Sequence, residues 1–125
     1  MANKVYDLED RFVEFAARVI DVVEALPNTR AGNYIAGQLI RCGLAPALLY
    51  GEAQSAESRD DFIHKMKVVL KELKETRVCL KLIIRKQMIK PPTRLAEIKN
   101  ECEELVKIIS KSIETARTNN KKQRN

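Results

Sequence analysis

Apolar residues in this chain recur at intervals of three and four along nearly its whole length. The recurrence breaks at three places: Pro27-Asn28, the polar run from Ser55 to Ser58, and Pro91-Pro92. Such spacing gathers side chains on one face of an α-helix, and no stretch sustains the period of two that a strand needs. Four amphipathic helices with short connections leave few ways to bury four apolar faces. The simplest is an all-α, up-down-up-down antiparallel four-helix bundle. A chain of 125 residues, 45% apolar and 32% charged with four glycines and four prolines, has enough apolar surface for one core and one domain.

Capping chemistry sets the boundaries. Leu8, Phe12, Phe15, Val19, Val22 and Leu26 form the first stripe, and Asp7 is its N-cap, predicting a helix over about 7–26. Thr29 caps a second helix that runs to about 55, with Ile35, Leu39, Cys42, Leu49 and Ala53 on one stripe. All four glycines, Gly32, Gly37, Gly43 and Gly51, fall inside it. An interior Gly costs about 1 kcal/mol relative to Ala, so packing must compensate, most simply by letting a neighbouring helix approach closely. Pro46 predicts a kink, and a competing reading splits this segment into two shorter helices around Gly43 to Pro46. Ser58, with Asp61 in capping-box register, opens a third helix over about 59–89. Its inward stripe is Phe62, Met66, Val69, Leu73, Leu80, Ile84 and Gln87. Thr93 caps the fourth, over about 93–116, with Leu95, Ile98, Cys102, Leu105, Ile109 and Ile113 inward. The bundle domain thus covers 1–116, and RTNNKKQRN at 117–125 reads as a basic flexible tail.

The common catalytic constellations are missing from the sequence. His64 is the one histidine and has no partner at zinc-ligand spacing. The glycines lie in a helix and match no phosphate-binding loop. No Glu-x-x-His pair offers a di-iron site. Cys42, Cys79 and Cys102 are widely separated, form no C-x-x-C, and read as small buried hydrophobes of a reducing compartment. The expectation is a protein that is not an enzyme and needs no cofactor or metal. With no leader-like N-terminus and no apolar run of membrane-spanning length, the chain is expected to be soluble and cytoplasmic.

Charge is unevenly distributed. Residues 1–57 carry 5 basic and 8 acidic side chains, residues 58–90 carry 10 and 4, and residues 91–125 carry 8 and 5. At about 100° per residue, Lys67, Lys71, Lys74, Lys81 and Arg85 share a face about 80° wide and about 27 Å long. A stripe of that length can follow several phosphates by charge alone; an ordinary solvated helix face is the alternative. Tyr6, Phe12, Phe15, Tyr34, Tyr50 and Phe62 lie outside it, so no base-stacking platform accompanies the charge. Val78, Leu82 and Ile89 fall on this same outer face, and apolar residues there mark an interface for self-association. Gln38, Arg41 and Glu52 share one face of the second helix and need partners on other helices. Glu72, Glu75 and Arg77 are the candidates. Half-buried ion pairs that fix helix register are one reading of these residues; a polar pocket within the bundle is the other.

The segment QLIRCGLAPALLYGEAQSAESRDDFIHKMKVVLKELKETRVCLKLI, residues 38–83, resembles a family of four-helix bundles encoded by intervening sequences of bacterial 23S ribosomal RNA genes. That family is also labelled S23 ribosomal protein and is related to the accessory variability determinant of diversity-generating retroelements. Gln38, Leu39 and Arg41 match its Q-L-x-R; Gly51 and Glu52 match its small residue and Glu. Ser58 and Phe62 match its Ser-x-x-x-Phe, while Lys71, Glu72, Glu75, Thr76 and Leu80 match its K-E-x-x-E-T-x-x-x-L. Pro46, Leu48, Leu49 and Cys79 depart from the family pattern. The resemblance implies a homo-oligomer, commonly a pentamer, with a basic surface toward RNA or DNA, and it implies no enzymatic activity. Two functional classes follow: an oligomeric module binding structured RNA through the five cations, or a protein–protein adaptor whose partner is itself or a reverse transcriptase.

Overall fold

The structure, a computed structural model, describes residues 7–124; Tyr6 lies outside the described residues. Four helices run in sequence: α1 Leu8–Ala25, α2 Arg30–Gln54, α3 Arg59–Arg85 and α4 Ala96–Arg124, with a short 3-10 turn at Pro92–Leu95 leading into α4. They form an antiparallel four-helix bundle, with no strand among the described residues. Each helix packs mainly on its neighbour in sequence, most extensively α2 on α3, and α1 closes against α4 over a shorter stretch.

Three N-caps form as the sequence predicts. Asp7 accepts from the Glu9 N–H at 3.0 Å, Thr29 from the Gly32 N–H at 3.0 Å, and Ser58 from the Asp61 N–H at 3.0 Å. Each satisfies a donor that the first helical turn would otherwise leave unpaired. Asp61 reaches back to the Glu57 N–H at 3.2 Å, one residue earlier than in the usual capping box. α2 is continuous through Pro46, so the reading with two shorter helices is not realised.

The core is built from Phe12, Phe15 and Val19 of α1, Leu39 and Cys42 of α2, Met66, Val69, Leu73, Leu80 and Ile83 of α3, and Ile98, Cys102, Leu105 and Ile109 of α4. Phe12 stacks near Tyr50 with ring centroids 5.1 Å apart. Gly43 lets α1 and α2 approach closely: a Cβ there would lie 2.6 Å from Val19 Cγ1. The same does not hold for Gly37 and Gly51, where nothing stands within 4 Å of a Cβ, so close packing does not explain those two.

Five expectations need correction. α3 is flanked by both α2 and α4, so its buried arc is wide. It takes in Ile63 and Ile83 fully, while Phe62 and Ile84 are only half-buried and Gln87 is exposed. α3 also ends at Arg85 rather than near 89. Gln87 adopts a left-handed φ of 49°, the Gln87 N–H bonds the Ile84 carbonyl at 3.1 Å, and the Met88 N–H bonds the Ile83 carbonyl at 3.0 Å. This is a Schellman closure without its usual glycine. Because the chain turns there, the helical angle assigned to Ile89 no longer applies. Ile89 is 4% exposed and belongs to the core, not to the outer face. Finally, Thr93 lies inside the 3-10 turn and caps nothing, and α4 continues past 116 to Arg124. No Gly or Pro occurs after Ala116, and Arg, Lys and Gln sustain a helix.

Candidate nucleic-acid interface

The outer face of α3 carries a row of five cations. Lys67, Lys71, Lys74, Lys81 and Arg85 are all exposed, and none takes part in an ion pair among the described residues. Most other cations of the helices behave differently. Arg11 grips Glu101 with two bonds of 3.0 and 2.7 Å, Arg77 reaches Glu103 at 3.2 Å, and Lys65 binds Asp61 at 2.7 Å. The stripe is therefore positive charge that the fold itself leaves uncompensated. Val78 and Leu82, 54% and 46% exposed, interrupt it. Leu70 and Val78 floor a shallow trough edged by Lys67, Lys71, Lys74 and Glu75.

Beside this face lies the polar cluster. Arg41 of α2 reaches Glu72 Oε1 at 3.2 Å and Glu75 Oε2 at 2.8 Å on α3, and Gln38 Oε1 at 3.2 Å on its own helix. The hydrogen bond to Glu75 raises the already high pKa of the guanidinium. Glu72 is buried and Arg41 is not, so the arginine neutralises from the solvent side a carboxylate that packing has drawn inward. Thr76, fully buried, donates to the Glu72 carbonyl at 2.8 Å. Of the polar residues singled out in the sequence, Gln38, Arg41, Glu72 and Glu75 thus come together. Glu52 does not: it is exposed on α2 and in no ion pair among the described residues. Arg41 thus bridges two helices, α2 and α3, through its two carboxylate partners.

Exposed apolar residues also stand on α1 and α2. Tyr34 and Leu48, 69% and 71% exposed, stand seven residues either side of Arg41 and extend its face in both directions. On α1, Val13 and Ile20, 55% and 42% exposed, stand seven residues apart on an outer face with Glu9, Asp10, Glu14, Asp21 and Glu24 exposed around the helix. The seven-residue spacing is the signal, overshadowed by the stronger core stripes. His64 is exposed. Among the described residues no cluster of His, Cys, Asp and Glu could hold a metal ion, and no helix is long and apolar enough to cross a membrane.

Comparison with known proteins settles the family. The family model described as "23S rRNA-intervening sequence protein" matches residues 4–111. The chain belongs to this family. The intervening-sequence-protein match contains the whole basic stripe and the Arg41 cluster and stops short of the last turns of α4. Among solved structures, a protein of unknown function from the S23 ribosomal protein family of Bacteroides thetaiotaomicron VPI-5482 is 32% identical. The match covers 86% of this chain and 98% of that one, with a TM-score of 0.78. Comparison with curated proteins gives no match.

Proposed function

We propose that this member of the intervening-sequence protein family is a non-catalytic module that binds the phosphate backbone of structured RNA through the outer face of α3. The observation that carries the reading is the set of five exposed cations, Lys67, Lys71, Lys74, Lys81 and Arg85, none held in an ion pair, on a chain that pairs many of its other cations. Lysine and arginine in a row neutralise phosphates and release counterions. The lack of an aromatic among them makes recognition one of backbone and shape rather than of stacked bases. Replacing all five by Gln and measuring affinity for a structured ribosomal RNA fragment tests it. Loss of nearly all binding is expected, and unchanged affinity would exclude the stripe.

A second reading is favoured by Val78 and Leu82. Apolar side chains exposed between lysines suit an acidic amphipathic helix, and the outer face of α1, with Val13, Ile20 and its carboxylates, has that chemistry. On this reading the face of α3 meets α1 of a second copy, and copies joined head to tail build a closed oligomer such as a pentamer. Leu82→Glu would then reduce the mass measured by light scattering, and an unchanged mass would remove Leu82 from the interface. A protein partner such as a reverse transcriptase is distinguished by a complex that survives nuclease treatment.

A further inference from the structure

Phe62 packs against the core but is only half-buried. The rest of its ring borders a cleft of about 440 Å³ between the first turn of α3 and the late turns of α4, lined by Arg59, Phe62, Ser112, Thr115, Ala116 and Asn119. Ala116 is the small residue that leaves the space open. The polar groups around the ring are uncommitted. Thr118, on the same helix, returns its hydroxyl to the Glu114 carbonyl at 3.1 Å, whereas the side chains of Ser112, Thr115 and Asn119 make no hydrogen bond among the described residues. Arg59 is exposed and in no ion pair among them. No carboxylate lines the cleft: Asp61 is engaged by Lys65 at 2.7 Å, and Asp60 falls about 160° around α3 from Phe62.

We propose that this cleft binds an unpaired nucleotide with its base stacked on Phe62. An aromatic ring accepts any base through its π-face. Hydroxyl and amide groups, donors and acceptors without net charge, match the edge of a base, and a guanidinium takes the phosphate. The volume lies within the range of about 300–1,000 Å³ usual for small-ligand sites. A cationic ligand would find no carboxylate here, and a wholly apolar one would cover three polar side chains without giving them partners. The cleft is separate from the basic stripe, since Phe62 lies about 140° around α3 from Lys67. A free nucleotide and a base turned out of an RNA strand share this chemistry.

Titrating the full chain with the four ribonucleoside 5′-monophosphates by calorimetry tests the site. Saturable one-to-one binding of at least one of them is expected. Phe62→Leu, which keeps an apolar side chain against the core, should weaken that binding by roughly 5- to 150-fold, the range that a base–aromatic stack carries. Ala116→Leu should fill the cleft and weaken it as well, and Arg59→Gln should weaken the nucleotide while leaving the matching nucleoside, which has no phosphate, unchanged. In the native chain the amide resonances of Phe62, Thr115 and Asn119 should shift with nucleotide and those along the stripe should not, which decides the matter even if a variant folds poorly. A single-stranded oligoribonucleotide that displaces the nucleotide at lower concentration makes an RNA base the occupant; one that does not makes it a free nucleotide. Binding of none of the four, native affinity in folded Phe62→Leu and Ala116→Leu chains, or shifts confined to the stripe would overturn the proposal. With all five stripe cations replaced by Gln, the nucleotide should bind as it does to the native chain whether or not RNA affinity falls, so the two sites stand or fall separately.

Discussion

At the residue scale the fold rests on a few positions where backbone and side chain are in tension. Gln87 holds a left-handed φ that disfavours any residue with a Cβ. Gln87→Gly should therefore stabilise the protein by about 0.5–1 kcal/mol in urea titration. Gly43→Ala presses a methyl into Val19 and should cost about 1–3 kcal/mol, whereas Gly37→Ala, which meets nothing, should gain up to about 1 kcal/mol. The sequence marks all four glycines alike, because it records their position in a helix but not which face another helix occupies. Asp61 adds a pH signature. The bond to Lys65, and after it the Glu57 N–H, lowers its pKa below the ordinary 3.8. A lowered folded pKa stabilises above the unfolded value and is lost as pH falls through the folded one. Stability should decline on acidification below about pH 4, and Asp61→Asn should flatten that decline.

At the element scale, apolar periodicity and capping residues made α1, α2 and the start of α3 legible to within a residue or two, because Asp7, Thr29 and Ser58 act through local chemistry. The end of α3 was not legible. Its stop depends on Gln87 adopting a conformation that glycine normally marks, and the misplacement of Ile89 on the outer face followed from that. The Arg41 cluster was legible in part: the sequence supplied Gln38, Arg41, Glu72 and Glu75 as candidates, but only packing shows that Glu72 is the buried member and that Glu52 stays outside. Arg41→Ala should lower the thermal midpoint only modestly, less than breaking a fully buried pair would, since the Arg41 side chain is 53% exposed. In a double-mutant cycle with Glu75→Ala, the two losses should be less than additive.

At the scale of the whole molecule, charge is partitioned by helix. α1 presents carboxylates around Val13 and Ile20, and α3 presents cations around Val78 and Leu82. Arg11, Arg41 and Arg77 are held in ion pairs between helices, whereas the five cations of the α3 stripe are in none among the described residues. This partition was visible in the sequence as a count, but exposure and the lack of ion pairs could be read only from the folded chain. The salt dependence of RNA binding tests the central claim most directly. If the five cations each meet a phosphate, the logarithm of affinity should fall against the logarithm of salt with a slope of about −3.5 on single strands to −4.5 on duplex, and substituting all five by Gln should bring the slope near zero. A native slope near zero, or one that the substitutions leave unchanged, would contradict a phosphate-binding role for this face.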